Sequence, residues 1–285
     1  MIAVSRRGDL VRVAHLRGDE LVEFYLWNLA APDGLGDVYT GRVDAVMPAL
    51  AGRFVALGVD VSGFLPDSAG GKELSIGTYA AMRVTRAAQG GKGPRLELVA
   101  DEPHGDAPGL LRRGPGPLLD LAARLPGEEI VLDDYALLAQ LRPALEGRMK
   151  YAAVTFDPIL EEEVAALFEP VAPLPLGAKL HITPAPAATL LDVDAAAASS
   201  VPSLVLNNAL IPEICRQILL RNLSGGILID FAGMKPAARA KLAEPLRRAL
   251  KSDPLHPDFL GFSHLGLAEI NRRRIRPPLH ELLVP

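Results

Sequence analysis

Two aspartates in apolar runs are the residues whose type and spacing best fit a chemical task. Asp192 lies in the run TLLDVD (189–194), and Asp230 lies in the run ILIDF (227–231). Because a strand alternates its side chains between two faces, Asp192 and Asp194 are expected to project from the same face. Asp230, inside so apolar a run, is expected to be largely buried, where an unpaired carboxylate costs several kcal/mol.

Carboxylate oxygens are ligands that suit hard cations such as Mg²⁺ or Mn²⁺. Such a cation can activate a water molecule and stabilise the charge on a phosphodiester under attack. An aspartate at the end of a strand is also a common turn former or helix cap, and the spacing alone leaves that alternative open.

A second group of candidates lies nearer the N-terminus. Phe54 and Phe64 fall on neighbouring predicted strands of a small barrel, where aromatic rings can stack on nucleobases. The alternative is that both rings belong to the barrel core. Lys92 and Arg95 lie in the loop QGGKGPR (89–95), which could hold a phosphate but lacks the pattern of a P-loop.

The densest basic run is Arg272, Arg273 and Arg274, followed by Arg276. Together with the basic residues at 247, 248 and 251, this run could form a local phosphate-binding patch. The alternative is an ordinary solvated face. The six histidines are scattered without a metal-ligand spacing and predict no histidine-centred catalysis.

Composition sets the outer limits. The chain has 285 residues, of which 49% are hydrophobic and 22% charged, as in a globular protein of about two domains. This composition excludes a disordered tail or a coiled coil. We expect a cytoplasmic protein, since no apolar run predicts a membrane span or a signal peptide. Cys215 is the single cysteine, which excludes an internal disulfide and a cysteine zinc cluster. A net charge of −4 and 5% aromatic residues give no indication of a nucleic-acid partner.

The elements that must position these residues follow from periodicity. Alternation predicts a hairpin near the N-terminus and then a small β-barrel, followed by a Pro- and Gly-rich loop over 101–117. The predicted strands of these two parts are 10–14, 21–26, 37–46, 52–57, 62–65, 79–86 and 95–99.

After the loop, strands alternate with helices. The predicted helices are 118–125, 134–146, 160–168, 212–222, 236–251 and a terminal helix around 267–274. The predicted strands are 129–132, 151–156, 179–183, 189–193, 226–231 and 259–263. A Pro-rich joint is expected at 170–175, and the tract AAAASS (195–200) is expected to be a flexible loop.

Several motifs resemble one known family. LSGGILIDFAGM (223–234) resembles the LGGLIVIDFIDM segment of the RNase E/RNase G family of bacterial endoribonucleases, and TLLDVD (189–194) resembles its TVIDVN. EICRQILLR (213–221) and GFSHLGLAEINRRR (261–274) resemble two further segments. GDVYTGRV (36–43) and GKGPRL (91–96), with the motifs around Phe54 and Phe64, resemble the RNA-binding barrel of the family.

The resemblance implies a multidomain α+β fold. An S1-type OB-fold β-barrel (37–100) would be inserted in an RNase H-like subdomain (1–36 and 101–175), followed by a DNase I-like α/β catalytic subdomain (176–285). It also implies functions for single residues. The two metal-binding aspartates of the family correspond to Asp192 and Asp230, and the asparagine that orients them corresponds to Asp194. The residues implied to contact RNA are Phe54, Phe64 and Lys92.

The chain also departs from the family pattern. The segment that senses a 5′-monophosphate is missing between 99 and 129, so we expect indifference to the 5′ end. The family's zinc-link cysteines are missing, so we expect no zinc and no zinc-linked dimer, while other homo-oligomers stay open. The lysine before the TNLEAA segment of the family is not retained, and its glutamate is Ala209.

The sequence therefore predicts an endoribonuclease that uses Mg²⁺ or Mn²⁺ at Asp192 and Asp230, supported by Asp194, to cut single-stranded RNA. Cleavage would leave 5′-phosphate and 3′-hydroxyl ends. The alternatives are a non-catalytic RNA-binding adaptor derived from the same family and a purely structural protein.

Overall fold

The computed structural model describes residues 1–145, 147–195, 198 and 200–282. The chain forms two compact units. The first consists of Met1–Val13, Leu26–Thr155 and Ile275–Pro277, and the second of Ala14–Tyr25, Phe156–Arg274 and Pro278–Pro285. The subdomain boundaries expected from the resemblance stay a prediction. Half of the expected loop at 195–200 lies outside the described residues, as does residue 146, the last of a predicted helix.

In chain order, the strands of the described residues are β1 (Ile2–Arg7), β2 (Leu10–Arg17), β3 (Glu20–Asn28), β4 (Val38–Met47), β5 (Gly52–Gly58), β6 (Val61–Pro66), β7 (Tyr79–Arg86), β8 (Arg95–Leu98), β9 (Gly109–Arg112), β10 (Ile130–Leu132), β11 (Met149–Tyr151), β12 (Val171–Pro173), β13 (Lys179–Pro184), β14 (Ala188–Asp194), β15 (Gly225–Asp230), β16 (Asp258–Phe262) and β17 (Ala268–Arg272). The α-helices are α1 (Gly116–Arg124), α2 (Tyr135–Leu145), α3 (Pro158–Ala166), α4 (Ser203–Leu220), α5 (Pro236–Arg239), α6 (Ala243–Leu250) and α7 (Leu279–Leu282).

The N-terminal strands form a five-stranded sheet in the order β11-β10-β1-β2-β3. The predicted hairpin corresponds to β2 and β3, whereas β1 was not predicted. Strand β1 pairs in parallel with β10, beginning with Ile2 opposite Ile130. No local sequence pattern predicts a pairing between segments so far apart in the chain. The strand predicted at 151–156 is wrong in position, because the parallel pairing of β10 with β11 ends at Leu132 and Tyr151.

A closed β-barrel of five strands, β4 to β8, occupies part of the first unit and is consistent with an OB fold. Its closure comes from β4, which pairs antiparallel with both β5 and β7. The barrel core is a cluster of buried side chains that includes Val43, Val55, Leu65, Met82 and Leu96. Strand β9 lies within the segment 101–117, for which a loop is expected from the sequence. It forms because the first half of β4 has an edge with which β9 pairs.

The second unit contains a six-stranded sheet in the order β12-β13-β14-β15-β17-β16. Helices α4 and α6 supply buried side chains to the same core cluster as one face of this sheet. Along β14, Leu191 and Val193 are buried while Asp192 and Asp194 are exposed. The sheet thus has one face covered by helices and one face on which polar residues lie, which we call the open face.

The terminal helix predicted around 267–274 is wrong: this segment contains β17, which pairs between β15 and β16. Its burial alternates with a period of two, since Ala268, Ile270 and Arg272 are buried and Glu269 and Asn271 are not. Helix α4 is longer than predicted and contains Pro212 in its interior, because packing of Leu206 and Leu210 in the core extends it toward the N-terminus.

Two further features bear on the composition argument. Burial, reinforced by the nearby charge of Asp253, raises the pKa of Cys215 to about 12, so this thiol is held in its neutral form. Within the part of the chain that the structure describes, no helix is long and apolar enough to cross a membrane.

The interpretation of Arg272 as part of an exposed phosphate-binding patch is corrected by its burial. The side chain is only 2% exposed, and its Nε donates to Asp253 Oδ2 at 2.6 Å. A second nitrogen, Nη1, donates to Asn222 Oδ1 at 2.7 Å. These contacts hold β17 to neighbouring loops of the second unit, so Arg272 is a structural residue.

We expect Arg272→Ala to lower the free energy of unfolding by about 3 kcal/mol or more, because Asp253 would be left buried without its partner charge. Urea denaturation measures this loss. Arg273→Ala is the matched control: Arg273 is exposed and should change stability by less than about 0.5 kcal/mol. Equal stability of the two variants would contradict the structural assignment of Arg272.

Candidate functional site

The carboxylates of Asp192 and Asp230 lie side by side at the carboxyl ends of two parallel strands. Strands β14 and β15 pair in parallel register, and Asp192 is the register partner of Asp230. Neighbouring strands are about 4.8 Å apart, so the two side chains leave the same open face one strand spacing from each other. Ligands of α/β sheets characteristically bind beyond the carboxyl ends of parallel strands.

Asp230 is exposed, so the expectation that it is largely buried is wrong. The alternation of β15 turns Ile227 and Ile229 into the core and places Asp230 on the open face. Burial of a charge therefore does not demand a cation here. Instead, two carboxylates are held together by the register of the backbone, and like charges on neighbouring strands repel each other.

Asp194 lies two residues beyond Asp192 on the same open face and is exposed, as the alternation predicts. The antiparallel partner of Asp194 on β13 is Lys179, and the partner of Asp192 is His181. The open face thus has a row His181–Asp192–Asp230, with Lys179 and Asp194 next to it. Sequence reasoning missed Lys179 and His181. The signal was present, because the predicted strands 179–183 and 189–193, joined by a tight turn, pair in this register.

Asn207 on α4 holds the chain that follows Asp230. This side chain is fully buried, and its Nδ2 donates to the carbonyls of Ser203 at 2.8 Å and Ala232 at 2.9 Å. In return, Ala232 N–H donates to Asn207 Oδ1 at 3.2 Å. Both backbone groups of Ala232 are therefore satisfied by one side chain, which fixes the exit of β15 two residues after the carboxylate.

The donor set fits Mg²⁺ or Mn²⁺. In the described ranges no three His, Cys, Asp or Glu side chains are grouped so that they could hold a metal. The pair Asp192 and Asp230 therefore stands by itself, and neither carboxylate has a hydrogen bond or an ion pair with any described residue. Mg²⁺ is commonly bound through one or two carboxylates while it keeps several water molecules, and Mn²⁺ accepts the same oxygen ligands.

On the barrel, the two phenylalanines lie on the outer surface rather than in the core. Phe54 and Phe64 are register partners on β5 and β6, and their rings meet edge to face with centroids 5.6 Å apart. Phe54 is 40% exposed and Phe64 is partly exposed. Arg95 pairs with Phe64 from β8, so these three residues form a row across three strands.

The loop that contains Lys92 is held against β6 by its backbone. Phe64 N–H donates to Pro94 O at 2.9 Å, and a Cβ on Gly93 would lie 2.3 Å from the carbonyl oxygen of Ser62. Only glycine permits so close an approach. Lys92 and Arg95 are both exposed beside the phenylalanine pair, which forms a surface with aromatic and cationic character.

Of the basic run, Arg273 and Arg274 are exposed and Arg272 is not. The guanidinium of Arg274 lies over Gly225, where a Cβ would be 2.1 Å from its Nη2. The run therefore offers two exposed cations in the second unit instead of a continuous patch.

The fold and these sites define a mixed α/β protein with an OB-like barrel and a carboxylate pair on a separate sheet. The sequence profile of the Ribonuclease E/G family matches residues 131–275, about half of the chain, and the chain belongs to this family.

Curated relatives agree with this assignment over part of the chain. Ribonuclease E of Escherichia coli is 32% identical over 128 residues, which are 43% of this chain and 12% of the relative. Ribonuclease E of Synechocystis is 35% identical over 120 residues, which are 40% of this chain and 18% of the relative. Ribonuclease G of Escherichia coli is 32% identical over 130 residues, which are 44% of this chain and 27% of the relative. The chain thus spans only a minor part of the length of these relatives.

We expect Asn207→Ala to lower the free energy of unfolding by about 2 kcal/mol, because the N–H and C=O of Ala232 would lose their partner. Chemical denaturation measures this change. Asn208→Ala is the control, since Asn208 Oδ1 is buried without a hydrogen-bond partner and its loss should cost less than about 0.5 kcal/mol. A neutral Asn207 variant would show that the exit of β15 does not depend on this side chain.

Proposed function

We propose that this chain is an endoribonuclease that hydrolyses single-stranded RNA with the help of a divalent cation at Asp192 and Asp230. The observation that carries the proposal is the register pairing of these two carboxylates on the open face. Membership of the Ribonuclease E/G family supports an RNA substrate, and relatives named ribonuclease E and ribonuclease G support cleavage.

Asp192 and Asp230 would hold Mg²⁺ or Mn²⁺, and Asp194, two residues further along the same strand, would support this pair without being a ligand. The bound cation would supply an activated water molecule and stabilise negative charge at the phosphorus. In the hydrolysis, the water oxygen bonds to phosphorus and the bond from phosphorus to O3′ breaks. The O3′ atom takes up a proton, so the products are a 5′-phosphate and a 3′-hydroxyl.

The residues of this chain would bind and orient the RNA. Phe54 and Phe64 present ring faces and edges on which bases can stack, a contact that tolerates any base sequence. Lys92 and Arg95 would contact phosphates beside these rings, and Arg273 and Arg274 are exposed cations available in the second unit. Asn207 would act as a positioning residue, since it fixes the backbone that follows Asp230.

We expect the purified chain to cleave a labelled, unstructured RNA in the presence of Mg²⁺ or Mn²⁺. Asp230→Asn or Asp192→Asn should reduce kcat at least about 100-fold, because each variant removes one of two charged oxygen donors for the cation. Gel analysis of the cleavage products, with mapping of the end groups, measures both the rate and the bond that is broken.

Glu269→Gln is the matched control, since Glu269 lies on the same open face but is the register partner of Leu228. This variant should keep at least half of the activity. RNA binding without cleavage in either metal would reject the enzyme and favour the non-catalytic RNA-binding adaptor.

Cleavage should not depend on the 5′ end of the RNA. Between β8 and β10 the chain contains only β9 and α1 as regular elements, which leaves little chain for a pocket that senses a 5′-monophosphate. Substrates with a 5′-monophosphate and a 5′-hydroxyl should give kcat/KM values within about twofold, or less than about 0.5 kcal/mol, of each other. A tenfold preference for the monophosphate would show that another part of the chain recognises it.

A further inference from the structure

Lys179 and His181 lie on β13 directly beside the carboxylates of the open face. Leu180 and Ile182 point into the core, so the residues between and before them face the opposite side. In the register of β13 with β14, Lys179 is opposite Asp194 and His181 is opposite Asp192. Register partners on antiparallel strands have Cβ atoms about 5 Å apart, which places both side chains within one side-chain length of the carboxylates.

Negative charge is concentrated on this part of the open face. Asp192, Asp194 and Asp230 contribute three carboxylates, and the polyanionic RNA has to approach them. Lys179 is exposed, and its ammonium has no hydrogen bond or ion pair with any residue that the structure describes. An ammonium group only donates hydrogen bonds, so it can bind a phosphate oxygen of the RNA and cannot bind a metal.

We propose that Lys179, with His181 beside it, binds the backbone phosphate next to the one positioned at Asp192 and Asp230. This proposal rests on the proposed function and adds a phosphate subsite on β13 to it. RNA that crosses the strands from β15 toward β13 passes the carboxylate pair first and Lys179 one strand later. The contact holds substrate and transition state equally, so Lys179 is a binding residue and not a catalytic one.

The direct test measures binding without cleavage. The full chain with Asp192→Asn and Asp230→Asn is titrated with a fluorescein-labelled, unstructured RNA without divalent metal, over a range of monovalent salt. In this background the two carboxylates no longer repel the RNA. Adding Lys179→Met should reduce affinity about fivefold at 0.1 M salt and make the slope of log K against log[salt] less steep by about 0.7, which corresponds to one lost phosphate contact.

Three comparisons show whether the effect belongs to this position and to its charge. Lys179→Arg should keep the slope, since a guanidinium also binds phosphate. Lys241→Met should leave the slope unchanged: Lys241 is exposed on the short helix Ala240–Leu242, which packs against α4 in the helical layer. A Phe54→Ala variant should lower affinity with little change in slope, because it removes stacking and no charge.

An unchanged slope in Lys179→Met would overturn the proposal, and so would an equal change in Lys241→Met. In the chain with both aspartates intact, Lys179→Met should raise KM about fivefold and leave kcat within twofold, the pattern of a uniform binding contact. A tenfold fall in kcat with an unchanged KM would also overturn it. Absence of cleavage by the parent chain would reject the proposed function, while the salt slope would still decide whether Lys179 binds phosphate.

Discussion

The parallel pairing of β14 with β15 is the constraint on which the candidate site depends. It requires a crossover, which helix α4 supplies, and it places two carboxyl ends at one edge of the sheet. Leu191 and Ile229 pack in the core, and this fixes Asp192 and Asp230 on the opposite face of the sheet. A shift by one residue would bury the aspartates. The hydrophobic core thereby stabilises a pair of like charges that would otherwise move apart.

Burial separates basic residues that hold the fold together from exposed basic residues that a ligand could reach. Arg272 is paired with Asp253 inside the second unit, and Arg276 is paired with Asp33 and Asp120 inside the first. Both guanidinium groups are buried and paired with carboxylates, so they are not available to a ligand. The exposed cations, such as Lys92 and Lys179, have no such task in the fold. A net charge of −4 for the whole chain therefore says little about its binding surfaces.

Local patterns predicted much of the fold. Each of the five barrel strands was predicted within two residues at either end, because short alternating runs between glycine turns have few other interpretations. Strand β17 was predicted as a helix, since its charged residues mask an alternation that only its place between β15 and β16 explains. Strands β1 and β9 were not predicted, because each is held by a partner distant in the sequence.

For the proposed site, the sequence by itself indicated the candidate residues: the aspartates at 192, 194 and 230, the phenylalanines at 54 and 64, and the basic loop before β8. Their types and spacing are local properties, and the family resemblance rests on them. Only the tertiary structure decided which of them are exposed and adjacent. It exposed Asp230, buried Arg272 and brought Lys179 beside Asp194, because strand register and the packing of α4 and α6 depend on contacts between distant parts of the chain.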